Sequence, residues 1–312
     1  MLATTNGEVN ANPSAVIATH DPGIIGAIGV AMLAKTPPPF PEKITPYPVV
    51  ANIDFAEGPI FDSHGNLYFV NYVRNGTLGK MTPQGTVGIW CETGGQVNGL
   101  KVDSAGYVIG ADAGAKRIIR VHPRRSPIEV LTDQFEGKPY LSPNDVCLDL
   151  AGNIYFTDPS NETPEAPIGS VYRVDTAKKV TRLATGLKYP NGLAVTPDQK
   201  KLIVAETMTN RILSFAFQAD GSLGPAKTLY QFSNSSVDGI MFDEYDRLWV
   251  ARWLNATVDV ITLDGKLVAE IPAGGSKVTN LCFWEKSVYV TVAERHSIHR
   301  LDVGVGGKAY TK

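Results

Sequence analysis

The sequence predicts an all-β protein: a six-bladed β-propeller closed by an N-terminal strand and preceded by an N-terminal extension. A motif of one polar residue, an apolar strand, a tight turn and a second apolar strand recurs along the chain. Its six copies start at residues 57, 98, 144, 191, 238 and 280, so the steps are 41, 46, 47, 47 and 42 residues. A period in the forties, with about four short strands per unit, is typical of propeller blades. No amphipathic helix interrupts the repeats.

The clearest copy spans residues 141–156, where Asp149 and Gly152 form an Asp-x-x-Gly turn between two apolar strands. Asp supplies a local hydrogen bond and Gly the permissive backbone that such a turn needs. Outer strands with the same alternation follow each copy, for example residues 170–174 and 211–215. Each motif is therefore predicted to be the innermost hairpin of one blade.

The first residue of each motif is polar and is predicted to lie at the same height around the central channel. These positions are Glu57, Asn98, Asn144, Asn191, Asp238 and Asn280. One interpretation is a ring of oxygen-bearing side chains at one mouth of the channel. The other is that Asn-Gly and Asp-Gly only mark turns. Glu57 is a poor turn former, which favours the ring.

The N-terminal part differs from the repeats in composition. Residues 1–44 are predicted to form an arm ending in a Pro-rich linker, and residues 45–312 the catalytic propeller. A strand near Pro48–Ile53 has no blade of its own, so we expect it to complete the last blade and close the ring. The arm lies outside the repeats and is expected to be dispensable for chemistry.

Composition limits the partners and the compartment. The chain has 312 residues, a net charge of −2 and no basic block, so we expect neither nucleic acid nor membrane as a partner. The apolar stretch at residues 24–34 is too short to span a bilayer and lacks the basic flank of a secretory signal. Three scattered cysteines favour a reducing compartment. A cytoplasmic location is therefore expected.

The side chains of the predicted ring suit a hard divalent cation. Carboxylate and amide oxygens prefer Ca²⁺, Mg²⁺ or Mn²⁺, whereas softer metals call for Cys or His. Glu57 and Asp238 bring two negative charges, and Asn144 and Asn191 add neutral oxygens. Such an ion polarises a carbonyl group, and a nearby carboxylate can act as general base.

The motifs together resemble the SMP-30/gluconolactonase/luciferin-regenerating family. The resemblance covers about Val49 to Arg300 and is carried by these segments: residues 57–59, 135–138, 142–145, 156–159, 190–193, 237–239 and 251–253. It implies a six-bladed propeller that opens a small-molecule lactone with one divalent metal. Calcium is the first expectation for that metal, with Mg²⁺, Mn²⁺, Zn²⁺ or Fe²⁺ as alternatives.

The resemblance also implies a role for each ring residue. Glu57, Asn191 and Asp238 match the metal ligands, and Asp238 matches the base. Asn144 lies beside the metal or binds substrate, and Asn98 matches a substrate contact. Around them, Lys138, Tyr140, Met208 and Trp253 are expected to contact the substrate.

One segment departs from the sugar-specific members of that family. Pro139-Tyr140-Leu141 stands where those members often carry an Arg and an Asn. Tyr140, Leu141, Met208 and Trp253 would make the mouth more apolar than a polyhydroxylated sugar prefers, although ordinary loop packing would explain them equally well. The prediction is a gluconolactonase-like lactonase. An organophosphate or aryl-ester hydrolase on the same metal, or a non-catalytic binding module, are the alternatives.

Overall fold

The computed structural model describes residues 36–125, 127–159 and 168–308. Residues 36–312 cluster as one compact unit. Most of the predicted N-terminal arm falls on residues 1–35, outside the described residues. The division at residue 44 and the dispensability of the arm therefore stay predictions.

Six four-stranded antiparallel sheets form in the described part of the chain, one per repeat. Blade 1 contains β2 Ile60–Phe61, β3 Leu67–Val70, β4 Thr77–Met81 and β5 Val87–Glu92. Blade 2 contains β6 Val97–Val102, β7 Val108–Asp112, β8 Arg117–Val121 and β9 Ile128–Thr132. Blade 3 contains β12 Val146–Leu148, β13 Ile154–Asp158, β14 Gly169–Val174 and β15 Val180–Leu187.

Blades 4 to 6 follow the same plan. Blade 4 contains β16 Pro190–Val195, β17 Lys201–Glu206, β18 Arg211–Ala216 and β19 Lys227–Gln231. Blade 5 contains β20 Ser236–Phe242, β21 Leu248–Trp253, β22 Thr257–Ile261 and β23 Leu267–Pro272. Blade 6 contains β24 Val278–Trp284, β25 Ser287–Val292, β26 Ser297–Asp302 and, as its outer strand, β1 Tyr47–Val50.

Closure of the ring depends on β1. This strand pairs antiparallel with β26, with Tyr47 opposite Arg300 and Pro48 opposite His299. The pairing removes the open edge that the last blade would otherwise present. The six-bladed, all-β fold closed by an N-terminal strand is therefore confirmed.

Elements outside the blades are short. A two-stranded hairpin, β10 Gln134–Phe135 and β11 Lys138–Pro139, precedes blade 3. Two 3₁₀ turns, Thr207–Thr209 and Ala293–Arg295, follow second strands. No helix in the described ranges is long and apolar enough to cross a membrane.

The Asp-x-x-Gly turns form as the sequence predicts. Gly152 lies in the left-handed region at φ 87°, and its N–H donates to the Asp149 carbonyl at 3.1 Å. Apolar side chains fill the spaces between neighbouring blades, with Phe69, Phe156 and Trp249 fully buried. Truncating such a side chain to alanine typically costs about 3–5 kcal/mol, so these contacts hold the innermost strands in place around the channel.

Candidate metal centre

The innermost strands start at a common structural position. In blade 2, the register of β6 and β7 shifts between Val97 and Leu100, which leaves Asn98 and Gly99 as a two-residue irregularity. The same shift surrounds Asn191 and Gly192 in blade 4 and Asp238 and Gly239 in blade 5. These dipeptides therefore lie inside strands that face the channel, and the interpretation of them as simple turns is wrong.

One member of the predicted ring has to be corrected. In blade 6 the register shifts between Val278 and Leu281, so Thr279, and not Asn280, occupies the ring position. Asn280 lies where blades 1, 2, 4 and 5 carry glycine. The innermost hairpin of blade 6 has a shorter turn than that of blade 5. When the two repeats are aligned by sequence, this difference displaces blade 6 by one residue.

The glycines after the ring positions allow neighbouring blades to approach closely. A Cβ added to Gly99 would stand 2.2 Å from Asp145 Oδ1, and one added to Gly239 would stand 2.2 Å from Asn280 Oδ1. Asp145 and Asn280 themselves occupy the glycine position of their own blades. Two blades thus place an extra polar side chain in the channel, and the adjacent glycines make room for it.

Three carboxylates meet at this level of the channel: Glu57, Asp145 and Asp238, each less than a tenth exposed. Burial raises the pKa of Glu57 well above its usual range, and repulsion from Asp238 and Asp145 raises it further. Burial and repulsion from Asp145 act in the same way on the pKa of Asp238. None of the three forms an ion pair with a basic side chain among the described residues. Such a cluster demands a positive charge.

Two buried oxygens at the same level have no hydrogen-bond partner: Asn144 Oδ1 and Asp145 Oδ2. Buried polar atoms of this kind are normally satisfied, so each orphan calls for an explanation. Asn191 is also buried, and hydrogen bonding from its side chain lowers the pKa of Asp238. No group of three or more His, Cys, Asp or Glu side chains in the described part of the chain is arranged to hold a metal. A cation here would therefore draw on the amide oxygens as well.

These donors fit a hard divalent cation. Carboxylate and amide oxygens are the ligands of Ca²⁺ and Mg²⁺, and a divalent charge would relieve most of the repulsion among three acids. The residues that could hold the ion are Glu57, Asn144, Asn191 and Asp238, with Asp145 beside them. Asp145 was missed from sequence. The sequence feature that could have identified it is the Asn-Asp pair of blade 3. Three other blades carry Asn-Gly or Asp-Gly at the same position.

Threonine hydroxyls join neighbouring blades around the site. Thr157 Oγ1 of blade 3 donates to the carbonyl of Asn191 at 2.8 Å, and Thr279 Oγ1 of blade 6 donates to the carbonyl of Ala56 at 2.7 Å. Each bond ends on, or next to, a ring residue of the following blade. Hydrogen bonds between neighbouring blades therefore hold the backbone that carries the ring side chains.

A second set of polar side chains holds the loops that lead into the ring. Asp158 accepts the N–H groups of Leu141 at 3.0 Å and Ser142 at 2.7 Å, which fixes the segment before Asn144. Near the end of the second strand in three other blades, Asp112, Glu206 and Glu294 also accept backbone N–H groups of the preceding loop. In the two remaining blades Asn71 and Arg252 instead donate to backbone carbonyls of that loop. Sequence reasoning missed this set, although a polar residue at that point of every repeat was its signal.

Tyr189 is a further residue that sequence reasoning missed. Its side chain is half-buried, and its pKa is raised by burial and then by the nearby charges of Asp238 and Glu57. The phenol therefore lies within electrostatic reach of the carboxylate cluster. A phenolic O–H donates well to a carbonyl or carboxylate oxygen, so Tyr189 can help to orient a bound molecule.

The residues expected to contact the substrate differ in position and in exposure. Met208, in the 3₁₀ turn after β17, is half exposed, and Trp253 at the end of β21 packs against Phe55 with ring centroids 6.4 Å apart. Phe55 lies two residues before Glu57, so this pair borders the ring. Asn98 stands at its ring position in β6 and is partly buried. Lys138 is exposed on β11.

The expected position of Tyr140 at the mouth of the channel has to be corrected. Its ring is buried against Phe156 and Tyr172, at 5.0 and 5.2 Å between centroids, and its hydroxyl bonds to Thr132 at 2.7 Å. It packs in the core between blades and does not line the mouth. Leu141, its neighbour, is exposed. Alternation along an extended segment sends the two side chains to opposite sides.

Comparison with known proteins gives one matching family. Residues 55–294 match the family model described as SMP-30/gluconolactonase/LRE-like region. The chain is 26% identical over 291 residues to the gluconolactonase of Zymomonas mobilis, covering 82% of this chain and 81% of that one. It is 27% identical over 296 residues to the diisopropyl-fluorophosphatase of Loligo vulgaris, covering 83% and 92%. A gluconolactonase structure from Xanthomonas campestris superposes with a TM-score of 0.75 at 25% identity, covering 83% and 90%.

Proposed function

The chain belongs to the SMP-30/gluconolactonase/LRE-like family, and on this premise we propose that it is a metal-dependent lactonase. One observation carries the proposal: three buried carboxylates, none of which forms an ion pair in the described part of the chain, lie together in the channel next to an orphaned amide oxygen. A propeller that only binds proteins needs no such cluster in its channel. The similarity to gluconolactonases from two bacteria supports the choice of reaction.

Glu57, Asn144, Asn191 and Asp238 would hold one divalent cation. When bound, the cation would polarise the lactone carbonyl and stabilise negative charge on its oxygen. Oxygen donors without nitrogen or sulfur favour a hard cation over a softer metal, and Ca²⁺ is the one we propose.

Asp238 is the proposed general base. Its carboxylate accepts a proton from a water molecule as the water oxygen attacks the lactone carbonyl carbon. The ring C–O bond then breaks, and the proton passes from Asp238 to the departing ring oxygen. The product is an open-chain hydroxy acid, which releases its carboxyl proton to solvent at neutral pH, and Asp238 is again ionised.

Other side chains orient the substrate. Asn98 stands on the ring next to the metal-binding positions and can donate or accept a hydrogen bond. Tyr189 can donate its phenolic proton to a substrate oxygen. Phe55 and Trp253 form an apolar wall beside Glu57, which limits the access of bulk water.

The apolar wall predicts the substrate range. Since Phe55, Met208 and Trp253 offer few hydrogen bonds, the enzyme should not depend strongly on ring hydroxyls. We expect kcat/KM for δ-valerolactone to lie within about tenfold of that for gluconolactone, because an apolar wall has no polar group that is left unpaired when the ring hydroxyls are absent. Initial-rate assays on both lactones test this. A preference of several hundredfold for gluconolactone would show that the site recognises hydroxyl groups.

The raised carboxyl pKa values predict a pH-dependent effect of the cation. In the folded metal-free chain, Glu57, Asp145 and Asp238 keep their protons to a higher pH than in the unfolded chain. Their stability contribution is therefore fully present below the unfolded pKa and is lost as the pH rises through the folded pKa. Calcium binds the ionised form, so it should raise Tm more at pH 8 than at pH 5.

Differential scanning calorimetry with and without Ca²⁺ at the two pH values measures this difference. The variant Asp264→Asn, which changes an exposed turn outside the channel, is the control and should show the same difference as the wild type. An equal rise in Tm at both pH values would mean that the cation binds elsewhere.

A second candidate function is hydrolysis of organophosphates on the same metal. The similarity to the diisopropyl-fluorophosphatase of Loligo vulgaris, over most of both chains, favours including it. A cation held by the same residues would polarise a phosphoryl oxygen in place of a carbonyl oxygen. A phosphotriester tested beside the lactones separates the two activities.

A further inference from the structure

A cavity of about 630 Å³ occupies the opposite end of the channel from the carboxylate cluster. All six blades line it, through the second halves of the innermost strands and the turns that follow them. None of the ring residues belongs to its lining. We call it the far cavity. Its volume falls in the range of about 300–1,000 Å³ that is typical of sites for small organic molecules.

The walls of the far cavity are largely apolar. Ile60, Leu193, Met241, Phe283 and Trp284 contribute to them. Methionine and aromatic side chains adapt to aliphatic and ring-shaped ligands. An apolar molecule, or the apolar part of a larger one, therefore fits these walls.

Lys101 brings a positive charge to the wall. It lies on β6 three residues after Asn98, and its Nζ donates to the carbonyl of Leu100 at 3.2 Å. An ammonium group has three N–H donors, so two remain for a ligand. In the described residues Lys101 forms no ion pair, although its charge lowers the pKa of the more distant Asp145.

The other charged groups around the far cavity have partners or point outward. Asp103 pairs with Arg120 at 2.6 Å, Lys308 with Asp246 at 2.7 Å, and Lys286 with Glu244. Asp62 accepts hydrogen bonds within its own hairpin from His64, Asn66 and Tyr68. Glu285 is exposed on the turn after β24. Of the three lysines in this lining, Lys101 is therefore the one that forms no ion pair in the described part of the chain.

We propose that the far cavity is a second binding site, which takes a small organic carboxylate with an apolar body. The carboxylate accepts hydrogen bonds from Lys101 Nζ, and the hydrocarbon part lies against Met241 and Trp284. The site is separate from the ring and does not depend on the proposed hydrolase activity.

Two sources share this ligand chemistry: simple carboxylic acids, and hydroxy acids such as those that lactone opening releases. Hexanoate and 6-hydroxyhexanoate are therefore the probes. Tighter binding of 6-hydroxyhexanoate would identify the site as one for reaction products, and equal binding would identify it as one for organic acids in general. Either result supports the site.

The test uses the full-length protein in Ca²⁺, with its methionine methyl groups labelled with ¹³C for NMR. Met241 lines the far cavity, and Met208 lies in the 3₁₀ turn near the ring, so each end has its own reporter. Hexanoate should shift the Met241 signal in a saturable way and leave Met208 unchanged. Hexanamide, which has the same shape without the charge, should bind at least about tenfold more weakly.

Two variants complete the design. Lys101→Gln should weaken hexanoate binding by about tenfold or more, whereas Lys286→Gln, at a lysine already paired with Glu244, should change it less than about threefold. The proposal is overturned if Met241 does not respond, or if hexanamide binds as well as hexanoate. Unchanged affinity in folded Lys101→Gln would overturn it too. The hexanamide comparison uses wild-type protein, so it tests the proposed site even if Lys101→Gln fails to fold.

Discussion

Asp238→Asn is expected to lower kcat for lactone hydrolysis by about 10³-fold, within the range of about 10²–10⁴ that general acid–base groups contribute. The amide keeps an oxygen at the ligand position but cannot accept the proton of the attacking water. Metal content should therefore fall much less than turnover does. Steady-state kinetics beside metal analysis of the same preparation measure both effects.

Asn98→Ala is the matched control, because Asn98 occupies the same ring position in blade 2, is not among the proposed metal ligands and carries no charge. It should mainly raise KM and leave bound metal unchanged. If Asp238→Asn keeps full activity with metal bound, another group takes the proton and the assignment of Asp238 is wrong.

Glu57→Gln is expected to act first on the metal. Cation affinity at oxygen sites follows the number of charged ligands, and this change removes one of the two anionic ligands that the proposal places on the ion. We expect the Kd for Ca²⁺ to rise by about 100-fold or more, since even changes to groups beside metal ligands cost about 10–100-fold. Isothermal titration calorimetry measures the Kd directly.

Activity of this variant should recover when Ca²⁺ is raised to saturation, because Glu57 is not the base. Glu92→Gln is a suitable control, since Glu92 is an exposed carboxylate at the end of β5 that pairs only with Arg74 in the described structure. A Kd equal to that of wild type would remove Glu57 from the ligand set.

The repeat made the fold predictable from sequence. Each blade encodes its own hairpin through apolar alternation and a tight turn, which is Asp-x-x-Gly in blades 1 to 3, so the blade number and the positions of the innermost strands follow from spacing. The closing strand was also predictable, because Pro48 and its neighbours form an apolar segment with no blade of their own. The structure confirms both.

The site was only partly predictable, since its details depend on register and on contacts between blades. The shift from Asn280 to Thr279 follows from a shorter hairpin in blade 6, which leaves no mark on the polar pattern. The burial of Tyr140 depends on Phe156 and Tyr172, which lie on other strands. Asp145 joins Glu57 and Asp238 only because Gly99 of the neighbouring blade leaves space for it.

We propose that the carboxylate cluster of Glu57, Asp145 and Asp238 holds a catalytic divalent cation. The most direct test measures metal content and lactone hydrolysis on the same wild-type sample, before and after removal of metal with a chelator and again after Ca²⁺ is restored. We expect one divalent ion per chain, loss of hydrolysis when the ion is removed, and recovery of hydrolysis when the ion is restored. Hydrolysis that continues at full rate without metal, or a chain that binds no metal and opens no lactone after Ca²⁺ addition, would contradict it.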